Sequence, residues 1–128
     1  MMKRTMLALT GALSLVATCA LADVKSEIVT AATHADLAAK AATIDAVHMH
    51  LHHAVNCLVG PSGKGFDAKQ INPCAHNGNG AIPDTADAAK KAKLQAAADK
   101  AESGIAATNL ATAQKAATDT AAMLKTDE

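Results

Sequence analysis

Aromatic side chains are almost absent from this chain: Phe66 is the only one, and there is no Trp and no Tyr. A haem pocket is normally lined by bulky apolar residues, which are scarce here. There is no C-x-x-C-H motif either, which excludes covalent c-type attachment. Haem held by His48 or His52 therefore ranks behind simpler ligands. An excess of charge of either sign is also missing, with twelve basic and twelve acidic residues. That balance argues against nucleic acid and against an anionic membrane surface as partner. Long apolar runs are missing too. The best stretch, Met6 to Val16, is shorter than the roughly 20 residues a spanning helix needs, so no transmembrane helix is expected.

Large apolar side chains are few as well, because most of the apolar half of the composition is alanine. Alanine buries little area, and at roughly 25 cal/mol per Å² such a core gains little per residue. A small domain of this kind needs a staple: a disulfide, a metal or a partner chain.

What is present begins with an address. Lys3 and Arg4 precede the apolar stretch, and Ala20-Leu21-Ala22 follows it with small residues where signal peptidase reads them. Residues 1–22 are thus expected to be a signal peptide cut before Asp23, leaving a periplasmic or secreted domain of residues 23–128. Val16-Ala17-Thr18-Cys19 has the outline of a lipoprotein acylation site, but threonine before the cysteine fits that pattern poorly. Cleavage removes Lys3, Arg4 and Cys19, leaving a net charge of −2 from ten bases and twelve acids, and two cysteines. An even count in an exported chain predicts a Cys57–Cys74 disulfide. It would close a loop of under about twenty residues, worth about 3 kcal/mol. The alternative is that both thiols ligate metal.

The mature chain divides into three stretches. Residues 24–58 lack Gly and Pro and are rich in Ala, which predicts a long helix or a closely joined pair, with Thr30 to Asp36 as the expected break. Leu37, Ile44, Val47, Leu51, Val55 and Leu58 recur at three-, four- and seven-residue steps, one apolar stripe. Residues 59–83 hold five of the seven glycines and all three prolines and read as a long loop, folded back by the disulfide. Helix resumes over 84–126, with Asp84 or Thr85 as N-cap. Its seam shifts phase from Leu94, Ala98, Ala101 and Ile105 to Leu110, Ala113, Ala117 and Leu124, and Ser103-Gly104 is the expected turn. The expected fold is all-α, a small antiparallel three- or four-helix bundle with one disulfide-tethered loop.

The chemistry is concentrated in Asp45-x-x-His48-Met49-His50-Leu51-His52-His53-x-x-x-Cys57, which carries four of the six histidines. Imidazole suits zinc, copper, nickel and iron. At about 100° per residue, His48 and His52 share one side of a helix, with Asp45 a turn before. An i, i+4 histidine pair can give two ligands to one metal. His34 falls on almost the same stripe of a continuous helix, too far away to join unless the chain bends. His50, His53 and Cys57 lie on the other side, where the disulfide would bring His76 near; His50, His53 and His76 form a second candidate grouping. Copper leads zinc slightly, because a soft thioether, Met49, stands beside the histidines.

Tempting motifs fail on context. Gly60-Pro61-Ser62-Gly63-Lys64-Gly65 is not G-x-x-x-x-G-K-[ST]; Asp67 and Asp84 make no calcium loop; the histidines do not spell H-E-x-x-H; and nothing positions Ser62 or Ser103 beside a histidine. The reading is a metal-binding bundle, not an enzyme. The competing reading is an interaction module, self-associating through its Ala-rich faces, with histidines that titrate at the surface.

Overall fold

The computed structural model describes residues 22–128. The expected leader, with its Cys19, lies outside the described residues except for Ala22. Five helices follow: α1 (Val24–Lys40), α2 (Ile44–Val59), α3 (Ala81–Asp84), α4 (Ala88–Ala106) and α5 (Leu110–Lys125). The protein is an all-helical bundle. Four long helices form a ring in which α1 packs on α2 and α5, and α4 packs on α2 and α5. The one-turn α3 touches α1, α2 and α4.

Capping side chains mark the start of every long helix. Asp23 Oδ1 accepts from Ser26 N at 2.9 Å, Thr43 Oγ1 from Ala46 N at 3.2 Å, Asp87 Oδ1 from Lys90 N at 2.6 Å, and Asn109 Oδ1 from Thr112 N at 3.1 Å. Each satisfies an amide that the helix itself leaves without a partner. These caps correct three expectations. The first stretch breaks at residues 41–43, not at 30–36, because Thr43 offers its hydroxyl to the next helix while Ala41 turns extended at φ −68°, ψ 139°. The carbonyl freed at Ala41 accepts from Gln114 Nε2 at 2.9 Å. The second stretch starts on Asp87 rather than Asp84 or Thr85, and Ala81–Asp84, expected mostly as the end of the loop, form the separate α3. The turn after α4 falls at 107–109 rather than at Ser103-Gly104.

Gly104 has another use. It is buried inside α4, where a Cβ would lie 2.6 Å from Leu51 Cδ1 and 3.0 Å from Ala116 Cβ. It lets α4 approach α2 and α5 closely. Small residues do the same elsewhere: Ala31, Ala35 and Ala38 of α1, Ala97, Ala98 and Ala101 of α4, and Ala113 and Ala117 of α5 are all buried. Ile28, Leu51, Leu58, Leu94 and Leu124 fill the space between them. Of the expected α2 stripe, Val47, Leu51, Val55 and Leu58 are fully buried, but Leu37 is 45 % exposed. The break at 41–43 puts Leu37 on a helix with a different axis and phase.

The loop from Gly60 to Gly80 is ordered by α2. The Cys57–Cys74 disulfide is present, with the two Cα atoms 5.1 Å apart. Asn56, fully buried, stands in for a strand neighbour: its Nδ2 donates to the carbonyls of Asp67 (3.0 Å) and Ile71 (3.2 Å), and its Oδ1 accepts from Asp67 N (2.9 Å). Gly60, at φ +69°, brings its backbone against the Asn79 carbonyl, where any Cβ would overlap. Asn56→Ala strands one buried loop amide and its carbonyl partners at once. Urea denaturation is expected to show a loss of about 2–3 kcal/mol; a change under about 0.5 kcal/mol would mean that the loop holds itself.

Among the described residues no helix is long and apolar enough to cross a membrane.

Candidate metal centre

The 41–43 turn builds the centre. His34 lies eight residues before Ala42, and His50 eight residues after it. In a helical hairpin, residues equally far from the turn meet across the two helices. His53 follows His50 by three residues, so it is a near neighbour on the same face of α2. The result is a triangle of imidazoles. Ring centroids are 5.6 Å apart for His34 and His50, 5.0 Å for His34 and His53, and 5.8 Å for His50 and His53. One ring nitrogen from each lies within 4.8 Å of the other two. His53 is buried, and His34 and His50 are half-buried.

The spacing matches metal coordination. His34 Nδ1 and His50 Nδ1 are 3.3 Å apart. Two nitrogens bound at about 2.0–2.1 Å with a tetrahedral angle would be separated by roughly that distance. His53 Nδ1 is buried and has no hydrogen-bond partner among the described residues. A buried ring nitrogen without a partner loses its hydration for nothing, and a metal ion would answer that. No carboxylate belongs to the group, so the ligand set is all imidazole, which suits copper and zinc alike.

The electrostatics favour the neutral form of His34 and His53. Burial, then the neighbouring His53 and His50, push the His34 pKa down to about 4. Burial, then His50 and His52, lower that of His53. Neutral imidazole is the metal-binding form. The metal-free protein should carry the mark of this in its stability. A histidine whose folded pKa lies below its unfolded value is fully stabilising above about pH 6.5 and loses that contribution as pH falls toward about 4. Relative to His34→Asn, the wild-type protein is therefore expected to lose about 1–2 kcal/mol between pH 6.5 and 4, measured by urea denaturation in chelator. The comparison removes the opposite contribution of Glu27, whose pKa burial raises. Parallel pH profiles for the two proteins would contradict it.

The other histidines have different surroundings. His48 Nε2 is 3.0 Å from the Ala107 carbonyl at the end of α4. His52 Nδ1, like that of His53, is buried without a hydrogen-bond partner among the described residues, but it faces Asp67 Oδ2 at 3.6 Å. Asp45 is exposed in the first turn of α2, and His76 is exposed on the loop. None of these four joins the three-histidine group. His48 and His52 still share a side of α2, but each meets a different element. Met49 is 39 % exposed. A cleft of about 560 Å³ between the loop and α4 is lined by Val59, Lys64, Ile82, Asp99 and Glu102 among others and by none of the three grouped histidines.

His34 is the member of the group that a continuous helix would set apart. On a continuous helix it shares a stripe with His52; on a hairpin it faces His50. The signal that distinguishes the two was Thr43, a capping residue just before Ile44 and Asp45.

Compared with known protein families, characterised proteins and solved structures, the chain has no match. Fold and site together define it as a disulfide-stapled four-helix bundle with a three-histidine group able to hold a metal ion.

Proposed function

We propose that this protein is an exported metal-binding bundle that holds one copper or zinc ion through His34, His50 and His53. The observation that carries the proposal is the meeting of three ring nitrogens within 4.8 Å across the α1–α2 hairpin. The Cys57–Cys74 bridge supports export, since such bonds persist in oxidising compartments, as does the leader-like sequence before Asp23. Three protein ligands leave a coordination position for water or for a group on a partner. The all-imidazole group suits metal capture or hand-over.

Purified mature protein, stripped with chelator, is titrated with Zn(II), Cu(II) and Cu(I), and the bound metal is then counted. One equivalent at micromolar concentration is expected for at least one of the ions. No uptake of any of them would reject the proposal. Association that is independent of metal and changes between pH 5 and 8 would favour the interaction module instead.

A further inference from the structure

Several groups converge where the described chain begins. The Asp23 backbone nitrogen donates to the Asn77 carbonyl at 2.7 Å. At the next loop residue, Gly78, a Cβ would run into Asp84 Oδ2, lie 2.8 Å from Glu27 Oε1 and lie 3.2 Å from Ala22 Cβ. Ala22, the residue expected to leave with the leader, thus stands close to two carboxylates.

Those carboxylates are short of a cation. Glu27 is fully buried. Its Oε1 accepts from Gly80 N at 3.0 Å, but its Oε2 is buried without a hydrogen-bond partner among the described residues. Asp84 accepts from the Asn79 backbone and side-chain amides at 2.6 and 3.3 Å. Among the described residues, no Lys, Arg or His forms an ion pair with Asp23, Glu27 or Asp84. Burial raises the Glu27 pKa; the Gly80 bond opposes this, and the charges of Asp84 and then Asp23 add to it. A buried carboxyl oxygen with no donor is costly, and a positive group beside it would relieve that cost.

We propose that cleavage before Asp23 creates that group: the new Asp23 α-ammonium is held by the Asn77 carbonyl and by the carboxylates of Glu27 and Asp84, locking the mature N-terminus onto the loop. Water adds across the Ala22–Asp23 peptide bond, its hydroxyl going to the Ala22 carbonyl carbon and its proton to the nitrogen, which takes a second proton from solvent. One donor keeps the Asn77 bond already present, and two become free for the carboxylates. The amide dipoles at the start of α1 disfavour a cation there, so the carboxylates are what hold it. Uncleaved chain lacks the charge, and the loop carrying Cys74 and Gly80 is then tied to α1 less firmly. The inference rests on the export reading and not on the metal site.

The test has two parts. The full chain is exported from a bacterial host, and the mature N-terminus is read by mass spectrometry; Asp23 is expected, and any other residue overturns the proposal by way of the export reading. Protein beginning at Asp23 is then compared with an Nα-acetylated form and with a form extended by one glycine, using NMR titration of the α-amine and of the Glu27 and Asp84 carboxyls. In the free-amine form the α-amine is expected to titrate about one unit or more above its usual 7.7–8.0. Glu27 should titrate lower there than in the acetylated form, and acetylation should lower Tm. Glu27→Gln, which keeps an acceptor for Gly80, should shrink the Tm gap between free and acetylated forms. An α-amine titrating normally, with Glu27 unchanged by acetylation, overturns the proposal by way of the pocket, and that measurement needs no variant to fold.

Discussion

Removing the disulfide is expected to cost about 3 kcal/mol and to lower Tm by roughly 10 °C or more. Cys57 and Cys74 are 17 residues apart, and tying them together removes loop-closure freedom from the unfolded chain. A loss of that size is ordinary for a small disulfide-bonded domain, and the rest of this core is weak. Its buried apolar residues are largely alanines, each giving up little area to the interior. The segment the bond holds has no repeating hydrogen-bond ladder of its own; it is fastened by turns, by Asn56 and by the Glu27 contact to Gly80. Two samples separate the bond from the atoms. Cys57→Ala/Cys74→Ala deletes both sulfurs, which are buried, and adds a small packing loss. Wild-type protein in reductant keeps the sulfurs and loses only the link. Urea midpoints of both should fall together, within about 1 kcal/mol of each other. If the reduced protein loses less than about 1 kcal/mol, the loop is held by its polar contacts and the staple is dispensable.

The fold was legible in the chain to the extent that helices announce themselves by composition and spacing. The stripe Val47, Leu51, Val55, Leu58 and the seams through Leu94 and Leu124 were readable because buried positions repeat with the helical period. The disulfide was readable because two cysteines remain after the leader is discounted. The boundaries were misplaced for one physical reason. The usual breakers point to a turn at Ser103-Gly104, and in residues 24–58, which have neither Gly nor Pro, the break was expected at Thr30 to Asp36. In an alanine-rich chain almost any segment can be helical, and what ends one helix is the side chain that starts the next. Thr43, Asp87 and Asn109 do this, while Gly104 is kept for close packing. The site inherited the error. Spacing along α2 correctly separated His50 and His53 from His48 and His52, but the third partner depends on which residue the hairpin folds back, and moving the break to residues 41–43 put His34 there. His76 was tied to that region by the disulfide alone, a constraint on Cα positions and not on where a ring two residues away lands.

The sharpest contrast in metal binding should therefore lie between two sets of histidines on the same helix. His50→Ala and His53→Ala are each expected to weaken binding of the preferred ion by about 100-fold or more, since each removes one of the three proposed ligands. His34→Ala, on the neighbouring helix, should do the same. His48→Ala and His52→Ala should change affinity less than about threefold. His48→Ala does give up the contact to the Ala107 carbonyl, so its cost should appear in stability, at about 1 kcal/mol, and not in metal binding. Thermal shift gives an independent reading. Ion present at about 100 times its Kd stabilises the folded protein by about 2.7 kcal/mol, a rise in Tm that the His50→Ala protein should lack and the His52→Ala protein should keep. Acidity supplies a third contrast. Burial and the two neighbouring rings hold His34 neutral down to about pH 4, so this ring has no proton to shed between pH 7.5 and 6 and should itself add no pH dependence to binding there. Exposed histidines would bind protons over that range and lose affinity as the pH falls. If instead His48→Ala and His52→Ala abolish uptake while His34→Ala leaves it intact, the ion lies on the opposite face of α2, and the hairpin triangle is only a packed cluster of rings.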